Sequence, residues 1–212
     1  MASAGELHMR PRRAVFFDRD GVINEVVYHR DVGIVDSPFT VGQFRLCRGA
    51  PRAIEKVNRL GLLAVVVSNQ PGVGKGHFTR AMLDGMTEKM RRGVARAGAR
   101  LDGVYYCLHH PQAARALYRK RCVCRKPGPG LLRQAARELH IDLAHSFMVG
   151  DSITDIQAGR RAGCRTILIG TPKCDRCTFM QAKKIKPDFI ASDILDAVKI
   201  MEKLCSDADE RR

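Results

Sequence analysis

The chain of 212 residues has no tryptophan, and aromatic residues make up only 6% of it. A groove that stacks nucleobases on aromatic rings therefore has little to be built from. Acidic residues are also scarce, 22 against 37 basic ones, and the formal charge is +15. No run approaches the ~20 apolar residues that a membrane helix needs, and the opening MASAGELHMRPRR has no apolar stretch that could act as a secretory signal. The expectation is a cytoplasmic protein with no membrane partner, whose cysteines are thiols or metal ligands rather than disulfides. The chain shows no fixed-period repeat and no low-complexity tract, which sets aside solenoids and fibrous proteins.

At 45% hydrophobic and 28% charged, the composition is that of an ordinary globular protein, and the length fits one domain with room for an insertion. A charge of +15 has three readings: a nucleic-acid surface, an anionic membrane surface, or a site for acidic small molecules. Charge alone does not choose among them.

Short apolar runs alternate with helical patterns along the chain. Ala14 to Phe17 reads as a buried strand, Pro51 to Leu60 as a helix closed by Gly61, and Leu62 to Val67 as a strand covered on both faces. Helix at Thr79–Ala97, strand at Val104–Tyr106, helix at Leu131–Leu139 and strand at Phe147–Val149 follow. Ile153–Ala162 then reads as a helix, Thr166–Ile169 as a strand and Ile194–Leu204 as a closing helix. This order predicts an α/β fold, a doubly wound, Rossmann-like parallel sheet with helices on both faces. Residues 14–204 form the single domain, with loose ends at 1–13 and 205–212 and two inserted segments, 25–49 and 107–127.

In such sheets ligands bind beyond the carboxyl ends of the strands, so the residues that follow each apolar run are the ones to inspect. The first run ends in Asp18-Arg19-Asp20-Gly21, two carboxylates two residues apart that are costly to bring together without a cation. The second ends in Ser68-Asn69, a hydroxyl and an amide suited to an anion. Arg125-Lys126 precedes a Pro-Gly turn and a helix, and the fourth strand ends in Gly150-Asp151, with Asp155 one helical turn on. Carboxylates for a hard divalent cation such as Mg²⁺, together with a lysine and a hydroxyl, make a phosphoryl-transfer site. One of the carboxylates can attack phosphorus and form an aspartyl-phosphate. Any one of these motifs is as often a turn or a helix cap; four on successive strand ends are not.

These four elements resemble, in order and chemical type, the motifs of the haloacid-dehalogenase-like phosphatases over residues 14 to 170. The resemblance implies that Asp18 is the nucleophile and Asp20 the general acid that later activates water. Mg²⁺ would be held by the carboxylates of Asp18 and Asp151 and the main-chain carbonyl of Asp20. Arg19, Ser68, Asn69 and Lys126 would bind the phosphoryl group or substrate, and Asp155 would orient Lys126 or a metal-bound water.

Cys107-Leu108-His109 and Cys122-Val123-Cys124 bring three thiols and an imidazole within 18 residues, the pattern of a closed, structural Zn²⁺ site. Its zinc would staple the loop 107–124 and deliver Arg125 and Lys126 to the phosphate. His110 is a further candidate ligand, though a solvated histidine is the commoner fate of such a neighbour. With Asp18 to Asn24 and Tyr105 to Pro111, this loop is similar to that of the D-glycero-D-manno-heptose-1,7-bisphosphate 7-phosphatases. The resemblance implies an enzyme of nucleotide-activated heptose biosynthesis, with Arg125 contacting the sugar bisphosphate; a monomer is expected. Histidinol-phosphate phosphatases are similar but have a shorter loop. Segment 25–49 departs from the family pattern and is expected to cap the site and read the sugar.

A different class, a zinc-stapled nucleic-acid module or a phosphatase of polynucleotide ends, draws on the eight Lys or Arg and no acid between 103 and 137, but that stretch, whose aromatics are Tyr105, Tyr106 and Tyr118, lacks the interleaved aromatics expected of a single-strand groove. Gly72-Val73-Gly74-Lys75-Gly76 fails the nucleotide-loop pattern because Gly76 stands where Ser or Thr is needed, and it reads as a flexible turn. Cys174 and Cys177 have redox-motif spacing but no second pair, and read as loop or helix-start thiols.

Overall fold

Four consecutive apolar residues with no polar alternation need cover on two faces, and Ala14–Phe17 receives it: all four have 0% exposure. The computed structural model describes residues 11–170 and 174–209. In chain order these are β1 (Ala14–Phe17), the hairpin strands β2 (Val27–His29) and β3 (Ile34–Asp36), α1 (Ala50–Arg59), β4 (Leu63–Asn69), the single turn α2 (Gly72–Lys75), α3 (Arg80–Ala95) and β5 (Gly103–Cys107). The second half holds α4 (Gly130–Leu139), β6 (Phe147–Gly150), α5 (Ile153–Ala162), β7 (Arg165–Ile169), α6 (Cys174–Ala182), β8 (Phe189–Ala191) and α7 (Ile194–Asp209).

Six strands form one parallel sheet in the order β5-β4-β1-β6-β7-β8. Because side chains alternate along a strand, Val15 and Phe17 join a core with residues of α1, α3 and α7, while Ala14 and Phe16 join one with residues of α4 and α5. Full burial of Phe16 and Phe17 contributes roughly 1.5–3 kcal/mol each. The expected doubly wound architecture is therefore the observed one. After β5 the chain crosses to the other side of β1, so the strand order reverses between β1 and β6, where such sheets bind their ligands. Register places Phe17 beside both Val66 and Val149, so the residues just beyond, Asp18 and Gly150, emerge side by side.

Several details differ from expectation. The three-residue strand β8 and the helix α6 carry too short or too weak an apolar pattern to be read from sequence; α6 opens at Cys174, whose side chain lies outside the described residues, and Cys177 is a half-buried free thiol. The closing helix runs on to Asp209, because Cys205 reaches back into the core and carries the polar end with it. At the other terminus Arg12 is not loose: its backbone N–H donates to His140 O at 2.8 Å and its carbonyl accepts from Asp142 N at 2.9 Å. Residues 1–10 of the expected N-terminal tail and 210–212 of the C-terminal one lie outside the described residues. The glycine-rich stretch is the helical turn α2 rather than a flexible one, and the Gly74 carbonyl accepts from Arg115 N in the cysteine loop at 3.0 Å.

The inserted segment 25–49 leaves and returns at one place: Glu25 N donates to Arg45 O and Cys47 N to Ile23 O. Between these ends the β2–β3 hairpin rests on Phe39, whose ring stacks on His29 with centroids 3.6 Å apart and lies 4.8 Å from His77.

Helix α5 lies against the sheet at Gly159, where an added Cβ would meet Met148 Cβ at 2.6 Å and Thr166 Cγ2 at 2.8 Å. Gly159→Ala should therefore lower stability by ~1–2 kcal/mol, the overpacking outweighing alanine's better helix propensity. The urea midpoint should fall with an unchanged slope.

Candidate active site

The carboxyl ends of β1, β4 and β6 bring the expected groups together, and a buried ammonium joins them. Lys126, 3% exposed, lies 2.8 Å from Asp18 Oδ1 and 2.6 Å from Asp155 Oδ1, and its Nζ donates to the Val67 carbonyl at 2.9 Å. Burial acts to lower the lysine pKa, yet the two carboxylates outweigh it and raise it, so the ammonium stays charged. Burial pushes Asp18 up to about 7; Asp155 and Asp20 push the same way, against the pull of Lys126. Asp18 also accepts from Arg19 N at 2.7 Å.

Asp155 is fully buried and N-terminal on α5. Its second oxygen accepts from Ser152 N at 3.1 Å and Ser152 Oγ at 2.7 Å. Both of its oxygens are thus engaged, in keeping with a residue that orients Lys126. Gly21, at φ +80°, lies directly against Asp151: a Cβ there would come within 2.1 Å of Asp151 Oδ2. Only glycine satisfies both the backbone conformation and that approach, which is how the loop after β1 is seated on the loop after β6.

Ligand oxygens of Asp18, Asp151 and Asp155 all lie within 4.8 Å of one another. An octahedral Mg²⁺ with Mg–O near 2.1 Å holds ligand pairs at about 2.9 to 4.2 Å, so Asp18 and Asp151 suit a hard divalent cation, while Asp155 beside them is taken up by Lys126 and Ser152. The Asp20 carboxylate points elsewhere. Its Oδ1 accepts from Arg19 Nε at 3.2 Å, Arg19 Nη2 at 2.9 Å and Asn24 Nδ2 at 2.9 Å, and its Oδ2 accepts from Gln70 Nε2 at 2.6 Å.

Two expected phosphate ligands have other work. Arg19 has 0% exposure and lies over the Tyr106 ring at 5.6 Å, so its guanidinium braces Asp20 and has no path to a ligand arriving from solvent. Asn69 donates to Lys126 O at 3.1 Å and accepts from Lys126 N at 3.0 Å, clamping that residue's backbone as a neighbouring strand would. Ser68 is 1% exposed and accepts from Gln70 Nε2 at 3.1 Å. Sequence inspection missed Gln70; the only sign was its place directly after Ser68-Asn69.

In the inserted loop, Cys107, His109, Cys122 and Cys124 also bring their ligand atoms within 4.8 Å of one another. Sulfur–sulfur separations of 3.1, 3.2 and 3.5 Å and His109 Nδ1 distances of 3.3 and 3.8 Å to Cys124 and Cys107 approach, slightly tighter, the ~3.8 Å edge of a zinc tetrahedron. His110 is not in the cluster; its Nδ1 accepts from Gln112 N. Arg125 Nη1 donates to His109 O at 3.3 Å, so the residue beside Lys126 is tied to the cluster.

Parallel sheet, paired aspartates, buried lysine and capped α5 together define a haloacid-dehalogenase-like phosphatase, and the family model described as "HAD-hyrolase-like" matches residues 123–197. Curated relatives carry the name D-glycero-beta-D-manno-heptose-1,7-bisphosphate 7-phosphatase. That of Escherichia coli (strain K12) is 42% identical over 161 residues, covering 76% of this chain and 80% of its own. That of Photorhabdus laumondii is 39% identical over 191 residues, covering 90% and 97%. A crystal structure of D,D-heptose 1,7-bisphosphate phosphatase from B. bronchiseptica, complexed with magnesium and phosphate, superposes with a TM-score of 0.72 at 28% identity, covering 90% of this chain and 98% of that one. The chain belongs to the D-glycero-D-manno-heptose-1,7-bisphosphate 7-phosphatase family. Among the described residues no helix is long and apolar enough to cross a membrane.

Removing the Arg19 guanidinium would strip Asp20 of two of its four donors inside the protein. Arg19→Met should cost ~3–5 kcal/mol of stability, as breaking a buried ion pair does, and this is measurable as a lowered urea midpoint.

Proposed function

We propose that the protein hydrolyses a sugar phosphate through an aspartyl-phosphate, removing the 7-phosphate of D-glycero-D-manno-heptose 1,7-bisphosphate in the synthesis of nucleotide-activated heptose. The observation that carries this reading is Lys126, held 2.8 Å from Asp18 at the end of a Cys/His loop. Similarity to the heptose bisphosphate phosphatases supplies the substrate.

Asp18 attacks phosphorus and the phosphorus–oxygen bond to the sugar breaks. Asp20 gives its proton to the departing sugar oxygen. Asp20, now a carboxylate, takes a proton from water; that water attacks phosphorus, the bond to Asp18 breaks, and inorganic phosphate is released. Lys126 and the Ser68 hydroxyl bind the phosphoryl oxygens as charge builds on them. Mg²⁺, held by Asp18, Asp151 and the main-chain carbonyl of Asp20, would neutralise phosphoryl charge when bound. Zn²⁺, held by Cys107, His109, Cys122 and Cys124, would fix the loop that delivers Arg125 and Lys126.

Asp18→Asn should abolish phosphate release while melting temperature and zinc content persist; near-wild-type turnover would overturn the mechanism. In a Mg²⁺ screen of heptose bisphosphates, histidinol phosphate and 3′-phosphorylated DNA, a heptose bisphosphate should have the highest kcat/KM. Another substrate in first place would overturn the substrate assignment and leave the chemistry standing.

Stripping zinc from the folded protein should lower its melting temperature and its phosphate release together, both returning when zinc is restored. Loss of zinc without either change would remove the loop's role in delivering Lys126.

A further inference from the structure

Asp20 sits in a cradle that leaves the protein short of hydrogen bonds elsewhere. Among the described residues, three buried side-chain atoms without a hydrogen-bond partner, Arg19 Nη1, Asn24 Oδ1 and Gln70 Oε1, belong to the residues whose other atoms donate to Asp20. Buried polar atoms are normally paired, and an orphan costs ~1–3 kcal/mol. A glutamine kept for stability would satisfy both ends. Gln70, 1% exposed, leaves its acceptor unpaired and directs both amide hydrogens at the site. When Asp20 is ionised it only accepts, and the amide nitrogen faces it accordingly.

The two oxygens of Asp20 are not equivalent. Three N–H donors crowd Oδ1, more than its two lone pairs accommodate well, whereas Oδ2 has Gln70 alone. The proton that Asp20 delivers therefore belongs on Oδ2, which keeps a lone pair for Gln70 while its O–H faces the leaving oxygen. The same amide nitrogen donates to Ser68 Oγ at 3.1 Å. The main chain of Gln70 is anchored independently of its side chain, through N–H to Cys107 O at 2.7 Å.

We infer that Gln70 is a positioning residue that sets the direction of the proton-delivering oxygen of Asp20, its second amide hydrogen anchored on Ser68 Oγ. The inference rests on the proposed role of Asp20 as acid.

The test compares esters that differ in their need for a proton. A sugar alkoxide leaves only when protonated; p-nitrophenolate leaves unaided. Gln70→Met removes both donors at nearly constant volume, and Gln70→Asn is polar but one methylene too short. In the Mg²⁺- and Zn²⁺-loaded enzyme, either variant should lower kcat/KM for heptose 1,7-bisphosphate by ~10–100-fold, within the range that general acid catalysis supplies. For p-nitrophenyl phosphate kcat/KM should change by less than ~3-fold, with a burst of p-nitrophenol as hydrolysis of the aspartyl-phosphate slows.

A parallel fall for both esters, or none for either, overturns the inference, because a merely structural residue has no reason to distinguish leaving groups. Asp20→Asn, measured alongside, separates the two levels. If it discriminates between the esters and neither Gln70 variant does, the positioning role alone is wrong. If it does not discriminate, the assignment of Asp20 as the acid is wrong.

Discussion

The structure depends on one buried cation. Moving an ammonium out of water costs several kcal/mol even after relaxation, and only well-placed opposite charges and hydrogen bonds offset it. Lys126 has them from three different parts of the chain: Asp18 after β1, Asp155 on α5 and the Val67 carbonyl in β4. None of these partners is complete alone. Asp18 without the lysine is a desolvated carboxylate beside two others, and the lysine without Asp155 is a charge missing half its compensation. The same pairings that make the ammonium tolerable place it against Asp18, the proposed nucleophile, so stability and reactivity in that proposal are two aspects of one arrangement.

The cysteine loop extends this logic to a segment with little regular structure. Cys107 is the last residue of β5, paired in register with Asn69 on β4, and Asn69 in turn grips both backbone groups of Lys126. The loop therefore leaves the sheet beside the residue that catches its far end. A metal between those points would close a loop whose two ends the sheet already brings together, so the ordering entropy left for it to supply is that of the loop's interior.

Much of this was legible in the sequence because chemistry and topology point the same way. Continuous apolar runs such as Ala14–Phe17, alternating with helical patterns, suit central parallel strands, and the polar residues that follow such strands share one sheet edge. Side-chain direction was not legible. Arg19 stands between two aspartates and yet turns into the core over the Tyr106 ring; Asn69 looks like an anion ligand and yet binds main chain. Such outcomes depend on what lies across the sheet, on residues more than fifty positions away. Gln70 escaped notice for the same reason, since nothing in its sequence neighbours indicates that its amide reaches Asp20. The short strand β8 and the helix α6 escaped because their apolar pattern is weak, and Cys205 because one buried residue in a polar tail leaves no periodic trace.

The strand order also bears on how the protein is made. On the ribosome β1 emerges first and can pair with β4 as soon as that strand appears, but its other neighbour, β6, comes roughly 80 residues later, about 4–16 s at typical elongation rates. During that interval the most apolar strand of the sheet is an unguarded edge, the kind of surface that recruits foreign strands. The nascent chain is thus most exposed to aggregation and to chaperone capture at the place where, once β6 arrives, the two halves of the catalytic site close on each other.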